Sequence, residues 1–204
     1  HLDHIIDIAY ILDNYYNLRK KTLKIYALAS TLEALKTHFF NNKIWPDFSQ
    51  IPLHTGEGMS ISYHPIEAGV QYSIAPGESI EAFLTKHTVP SCGYVIQKDD
   101  AEVLITADTA SLASAVKYLE TSIKTKSLVV ECSFPSSMEK IALESKHLTP
   151  ELLFKELEPL DPHKYHLYIN HIKPCYEEEI CSEIREQKGD WNITILQDGD
   201  EVRF

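Results

Sequence analysis

Long apolar runs are missing. No stretch of about 18 or more apolar residues occurs among the 204 residues, so a membrane-spanning helix is not expected. The start of the chain lacks the basic, apolar and small-residue blocks of a secretory signal. The first residue is His1 rather than Met, and the sequence is expected to begin downstream of the protein's natural start. Basic charge is scarce: 19 Lys and Arg against 30 Asp and Glu give a net charge of −11. A polyanion binds chiefly through a basic footprint, so broad nucleic-acid binding is disfavoured, whereas a small anion needs only local cations. Cys92, Cys132, Cys175 and Cys181 form no Cys-x-x-Cys pair, which argues against a structural zinc finger. Nor is a disulfide framework expected at this length, and the cysteine usage leans toward a reducing compartment. A cytoplasmic location is therefore expected, with a periplasmic one left open by the unseen N-terminus. Internal repeats and low-complexity linkers are absent as well.

What is present is enough apolar sequence, 44%, for one core, and a single domain over 1–204 is expected. Strand and helix patterns alternate. "DHIIDIAYILDNYY" carries one apolar helical face, and "TLKIYAL" reads as a strand. Ser30 and Glu33 have capping-box spacing at the head of "TLEALKTHFFNN", whose Asn41 and Asn42 suit a C-terminal cap. "MSISYHPI" and "VQYSIA" are strand-like, and "CGYVIQ" with "AEVLITAD" reads as a hairpin about Asp99-Asp100. "SLASAVKYLETSIK" is helical, and "SLVVE" is a short buried strand. Thr149 and Pro150 open the helix "ELLFKELEPL" as N-cap and first residue. "YHLYIN" is a strand, "YEEEICSEIREQ" a helix, and "WNITILQDGDEVRF" a closing hairpin about Asp198-Gly199. The expected class is mixed α/β.

Metal-capable residues fall just beyond the ends of these elements. His87 precedes a strand, Asp108 follows one, His147 precedes a helix and His171 follows a strand. Taken singly, such a His is most simply a hydrogen-bonded loop residue, and Asp108 an Asx-turn residue. "HLDH" is denser: His1, Asp3 and His4 are three ligand types within four residues. Strand ends of one α/β sheet converge in space, so the set is compatible with a two-metal hydrolase.

The ordered set resembles the metallo-β-lactamase superfamily, whose signature H-x-H-x-D-H is followed by a lone His, an Asp after a strand and a last His after another strand. His1, Asp3 and His4 match the second His, the Asp and the third His. His87, Asp108 and His171 match the later positions. The signature's first His would fall two positions before His1, outside this sequence, as would the family's opening strands. "TLEALKTHFFNNKIWPDFSQIP", "HTVPSCGYVI", "LITADT", "LVVECSFP", "SKHLTPELL" and "YINHIKP" narrow the resemblance to class II cyclic-nucleotide phosphodiesterases along almost the whole chain. Within it Trp45 and Phe48 read equally as packing aromatics or as substrate-side residues. Transfer-RNA 3′-processing nucleases share the metal pattern, but the net charge disfavours their polyanionic substrate.

The resemblance implies an αββα sandwich lacking its N-terminal strands, and hydrolysis of a 3′,5′-cyclic nucleotide, cyclic AMP or also cyclic GMP, to a 5′-monophosphate. It implies two zinc ions, with manganese or iron as substitutes that such ligands accept. One zinc would be held by His1, His87 and the unseen His, the other by Asp3, His4 and His171, with Asp108 bridging. Water activated between the metals would attack phosphorus. His147 would protonate the leaving 3′ oxygen, with Glu131 orienting it. An alternative role for Glu131 is capping the helix that follows. His38, His54, His64, His163 and His166 match no signature position and read as surface or structural residues. No substrate-binding residue is assigned. The expected partner is the small cyclic nucleotide, with no membrane or nucleic acid, and a homodimer is open. Alternative functions are RNA 3′ processing, another phosphodiesterase activity, or a non-catalytic binding scaffold of the same fold.

Overall fold

"TLKIYAL" and "MSISYHPI" alternate side chains as strands do. In the computed structural model, which describes every residue from His1 to Phe204, they pair in parallel. β1 (Leu23–Leu28) runs beside β2 (Ile61–Ile66), in register from Leu23 with Ile61 to Leu28 with Ile66. By its internal contacts the chain falls into two units, His1–Glu67 and Ala68–Phe204. No helix is long and apolar enough to cross a membrane.

In the first unit a 3-10 turn, Leu2–His4, leads into α1 (Ile6–Asn14). Ala9 and Leu12 of α1 bury against Ile25 and Ala27 of β1. α2 (Ala29–Ala34) continues as a π-helical stretch to Phe39. The capping box expected at Ser30 does not form, because the helix starts at Ala29 and leaves Ser30 inside its first turn. Glu33 instead accepts a hydrogen bond from the Thr37 hydroxyl. Asn42 takes a left-handed conformation (φ 59°) and the Asn41 amide returns to the Thr37 carbonyl, so the two Asn do end the helix. Phe48 lies in this unit's core, and Trp45 packs edge-on to Tyr10 with ring centres 5.8 Å apart.

The second unit is one seven-stranded sheet. β3 (Gln71–Ala75), β4 (Glu78–Leu84), β5 (Cys92–Lys98), β6 (Ala101–Ile105), β7 (Thr125–Glu131), β8 (His166–Asn170) and β9 (Asn192–Ile195) lie side by side in chain order. β3 to β6 are antiparallel and β6 to β9 parallel. Its helices are α3 (Ala113–Leu119), α4 (Glu139–Ser145), α5 (Pro150–Leu157) and α6 (Glu177–Gln187). The parallel strands carry near-continuous apolar runs because side chains are buried on both faces. Leu128 and Val130 join Leu167, Ile169 and the helix residues Leu153 and Ile180 on one side, while Val103, Val129 and Tyr168 form a second cluster. Thr149 caps α5, its hydroxyl accepting from Leu152 N–H, with Pro150 at the first position.

Two elements lie outside the sequence expectations, and one expectation needs correction. β4 and α4 carry no assignment in the sequence reading, although Pro76-Gly77 is a turn signal before β4. The expected closing hairpin is absent. β9 is a parallel neighbour of β8, and the tail beyond a turn at Gln197–Asp200 is not a strand. Val202 packs on the Val103–Val129–Tyr168 cluster and Ser127 Oγ donates to Arg203 O. Burying that apolar face wins over pairing the tail with β9.

Gly93 shows how tightly β4 and β5 are matched. It faces Phe83 in register, and a Cβ there would run into the Phe83 ring and lie 2.6 Å from Ile105 O. Gly93→Ala is expected to destabilise the protein by about 1–3 kcal/mol through overpacking, measured by urea unfolding; an unchanged midpoint would count against this packing.

Candidate metal and proton-transfer site

The site grows from the C-terminal ends of β6, β7 and β8, where parallel neighbours place their following loops together. Asp108 follows β6, Glu131 ends β7 and His171 follows β8. His87 comes from the β4–β5 loop and His147 from the α4–α5 connection.

Cross-links between the loops fix their positions. Lys86 N–H donates to Thr109 Oγ1 (3.1 Å) and Ala110 N–H to Lys86 O (2.9 Å), tying the His87 loop to the Asp108 loop. Lys146 Nζ donates to His87 O (2.8 Å), while Lys146 O lies 3.1 Å from His87 Nδ1. Thr109 N–H donates to Glu131 Oε1 (3.0 Å), joining the Asp108 loop to β7.

Backbone strain gathers here. Ala107, Lys146 and His171 have φ of 53°, 57° and 59°, a left-handed region that non-glycine residues seldom occupy. One precedes Asp108, one precedes His147 and the third is His171. Such conformations cost about 1–3 kcal/mol each and collect at working sites.

Asp108 is the centre, with 4% of its surface exposed. Its Oδ2 lies 3.6 Å from His87 Nε2 and its Oδ1 3.4 Å from His171 Nε2. The other ring nitrogens are engaged elsewhere. His87 Nδ1 faces the Lys146 carbonyl, which can only accept, so Nδ1 carries the proton and a neutral ring presents its Nε2 lone pair toward Asp108. His171 Nδ1 lies 2.8 Å from Ser133 Oγ. Two imidazole nitrogens converging on a carboxylate, each ring braced from behind, is the donor set and orientation that a divalent transition metal requires. The residues fit such an ion.

Beside this cradle is a buried carboxylate–histidine pair. Glu131 is fully buried and its Oε1 lies 2.9 Å from His147 Nδ1. Its Oε2 accepts from Ser133 Oγ (2.8 Å) and Leu148 N–H (3.3 Å). Glu131, His147 and His171 bring ligand atoms within 4.8 Å of one another. Glu131 already accepts from Thr109, Ser133 and Leu148, so this trio reads better as a hydrogen-bonded network than as another cation site. With Nδ1 held by Glu131, His147 keeps Nε2 for chemistry. Its ring centre is 5.1 Å from that of His87 and 5.4 Å from that of His171, on which it stacks. Burial, and then the Glu131 charge, push the neighbouring Cys132 thiol well up, so it stays protonated.

Of the residues singled out in the sequence, the second unit brings together His87, Asp108, Glu131, His147 and His171. His1, Asp3 and His4 lie in the first unit, at the exposed turn Leu2–His4, where His4 Nε2 is 3.7 Å from Asp3 Oδ2. The sequence reading missed Ser133 and Lys146. Ser133 had a signal, since in an extended chain it shares a face with Glu131, two residues earlier.

Comparisons with known proteins bear on this geometry. The family profile described as "cAMP phosphodiesterases class-II" matches residues 1–55. A Yersinia pestis protein named "Probable 3′,5′-cyclic-nucleotide phosphodiesterase" is 26% identical over 243 aligned positions, which take in 100% of this chain and 66% of that protein. The chain thus spans just under two thirds of that relative's length. Among solved structures, the metallo-β-lactamase-fold protein YhfI from Bacillus subtilis matches with a TM-score of 0.71 at 17% identity, covering 98% of this chain and 72% of that one. The short form of human tRNase Z matches at 0.65 and 16% identity, covering 97% and 73%. At such identities the structures speak for the fold, which is that of the metallo-β-lactamases. The opening residues thus resemble class II cyclic-nucleotide phosphodiesterases, a protein named as a phosphodiesterase aligns along the whole chain, and the fold beneath both is that of the metallo-β-lactamases.

Proposed function

We propose that the protein hydrolyses 3′,5′-cyclic nucleotides, cyclic AMP first and cyclic GMP as a second substrate, to nucleoside 5′-monophosphates. The observation that carries this reading is the Asp108 carboxylate set between the Nε2 atoms of His87 and His171, with the Glu131–His147 pair alongside. In this reading His87, Asp108 and His171 are metal ligands, with zinc as the natural ion and two as the natural number. The ions supply Lewis acidity to the attacking water and offset the charge of the phosphoryl oxygens.

The chain's own residues do the rest. The Lys146 carbonyl keeps His87 turned with Nε2 forward. Glu131 holds His147 by Nδ1 and turns its Nε2 outward, and the imidazolium form carries the proton to be given on that Nε2. That proton passes to the ribose 3′ oxygen as the P–O3′ bond breaks, so the poor leaving group departs as an alcohol. The 5′ ester bond remains, which gives a 5′-monophosphate.

The test is product analysis. The protein at its full natural length is incubated with cyclic AMP, and in parallel with cyclic GMP and a structured RNA, with zinc and with a chelator. Accumulation of 5′-AMP that the chelator stops supports the reading. Trimming of RNA 3′ ends with no cyclic-nucleotide turnover overturns it. A net charge of −11 weighs against RNA as the substrate.

A further inference from the structure

Ser133 sits where the two halves of the site meet. It is fully buried. Its Oγ is 2.8 Å from Glu131 Oε2, 2.8 Å from His171 Nδ1 and 3.2 Å from His147 Nδ1. A hydroxyl has one proton to give. An ionised carboxylate can only accept, so that proton goes to Glu131. The Ser133 oxygen then has lone pairs alone to offer to His171, and a contact of 2.8 Å requires His171 Nδ1 to be the donor. The consequence lies across the ring: in the neutral form, His171 Nε2, 3.4 Å from Asp108 Oδ1, is the nitrogen that carries the lone pair.

We propose that Ser133 is a positioning residue that fixes the tautomer and ring plane of His171 and couples that metal-facing histidine to the Glu131–His147 proton-donor pair. The proposal rests on the metal-dependent reading above. Ser133 touches neither reacting atoms nor the ion. It acts through its neighbours, selecting the one tautomer of His171 that can ligate. The same hydroxyl supplies one of the donors that keep Glu131 turned toward His147 Nδ1. The backbone supports this placement: Ser133 N–H donates to Leu148 O (3.0 Å) and Cys132 N–H to Asn170 O (3.0 Å), so β7's extension is tied both to the His147 segment and to the residue before His171. Orienting partners of this kind change metal affinity by about 10–100-fold when removed.

The experiment compares the parent protein with Ser133→Ala and Ser133→Thr. Nitrogen-15 NMR of the histidine rings is recorded on metal-free protein at about pH 8, above the ordinary imidazole range. Zinc affinity is measured by competition with a chelating dye. In the parent, His171 is expected as the Nδ1–H tautomer. Ser133→Ala is expected to shift it toward Nε2–H and to weaken zinc binding about 10–100-fold. Ser133→Thr, which keeps the hydroxyl, is expected to retain the parent tautomer and most of the affinity. A parent His171 protonated on Nε2, or a Ser133→Ala protein with unchanged tautomer and affinity, overturns the proposal. If Ser133→Ala does not fold, the parent spectrum and the Thr variant decide. If the parent takes up no zinc, the metal-dependent reading falls, and the tautomer data still decide the role of Ser133.

Discussion

Asp108→Asn is expected to lower cyclic-nucleotide turnover about a thousandfold, the loss that follows from roughly 4 kcal/mol of transition-state stabilisation. The cause is geometric. A nearly buried carboxylate lies 3.6 Å from His87 Nε2 and 3.4 Å from His171 Nε2, and with a cation among them the three groups become ligands. Asn removes the negative charge and dismantles the cradle. Metal content by mass spectrometry and the rate on cyclic AMP measure the loss. An Asn variant that keeps its metal and its rate would remove Asp108 from the centre of the site.

His147→Ala is expected to cost about 10²–10⁴-fold in kcat on cyclic AMP, the usual worth of a general acid. The discriminating measurement uses a second substrate. A phosphodiester that expels p-nitrophenolate needs no proton on its leaving group. The variant should therefore lose far less on that substrate, less than about tenfold if protonation is the only function lost. Metal content should stay at the parent's level. Equal losses on both substrates would assign His147 to binding or metal retention. Glu131 is a poorer probe of the same step. Its carboxylate accepts from Thr109 and Leu148 N–H, the Ser133 hydroxyl and the His147 ring, and Gln would set an amide donor against some of these.

Ligand chemistry is confined to a few residue types, so His87, Asp108 and His171 stood out in the sequence as candidates beside strands, and it was the family resemblance, not their places alone, that assigned them as ligands. The structure adds what residue type cannot carry, namely which ring nitrogen faces which oxygen. Ser133 escaped notice because serine is common and its value lies in three distances, none of them local in sequence except that to Glu131. Lys146 escaped because half of its contribution is a backbone carbonyl, which every residue has. Among the elements, Thr149-Pro150 announced α5 through chemistry specific to a helix start. The closing hairpin failed for the opposite reason. Asp198-Gly199 is a sound turn signal, but a turn does not say whether the chain beyond it pairs with the previous strand or lies across an apolar face, and here Val202 takes the face.

The second unit's strands stand in the same order in space as along the chain. Each new strand therefore docks on one already formed, and no strand waits for a later one to fill a gap beside it. A growing polypeptide emerging from the ribosome could extend this sheet edge by edge, with little exposed interior at any moment. The chemistry follows the same clock. His87, Asp108, Glu131 and His147 are synthesised in turn, and His171, the last, arrives only with β8 in place. A chain stopped short of that strand would lack His171, one of the two imidazoles that face Asp108. Translation order thus leaves this cradle incomplete until most of the sheet is in place.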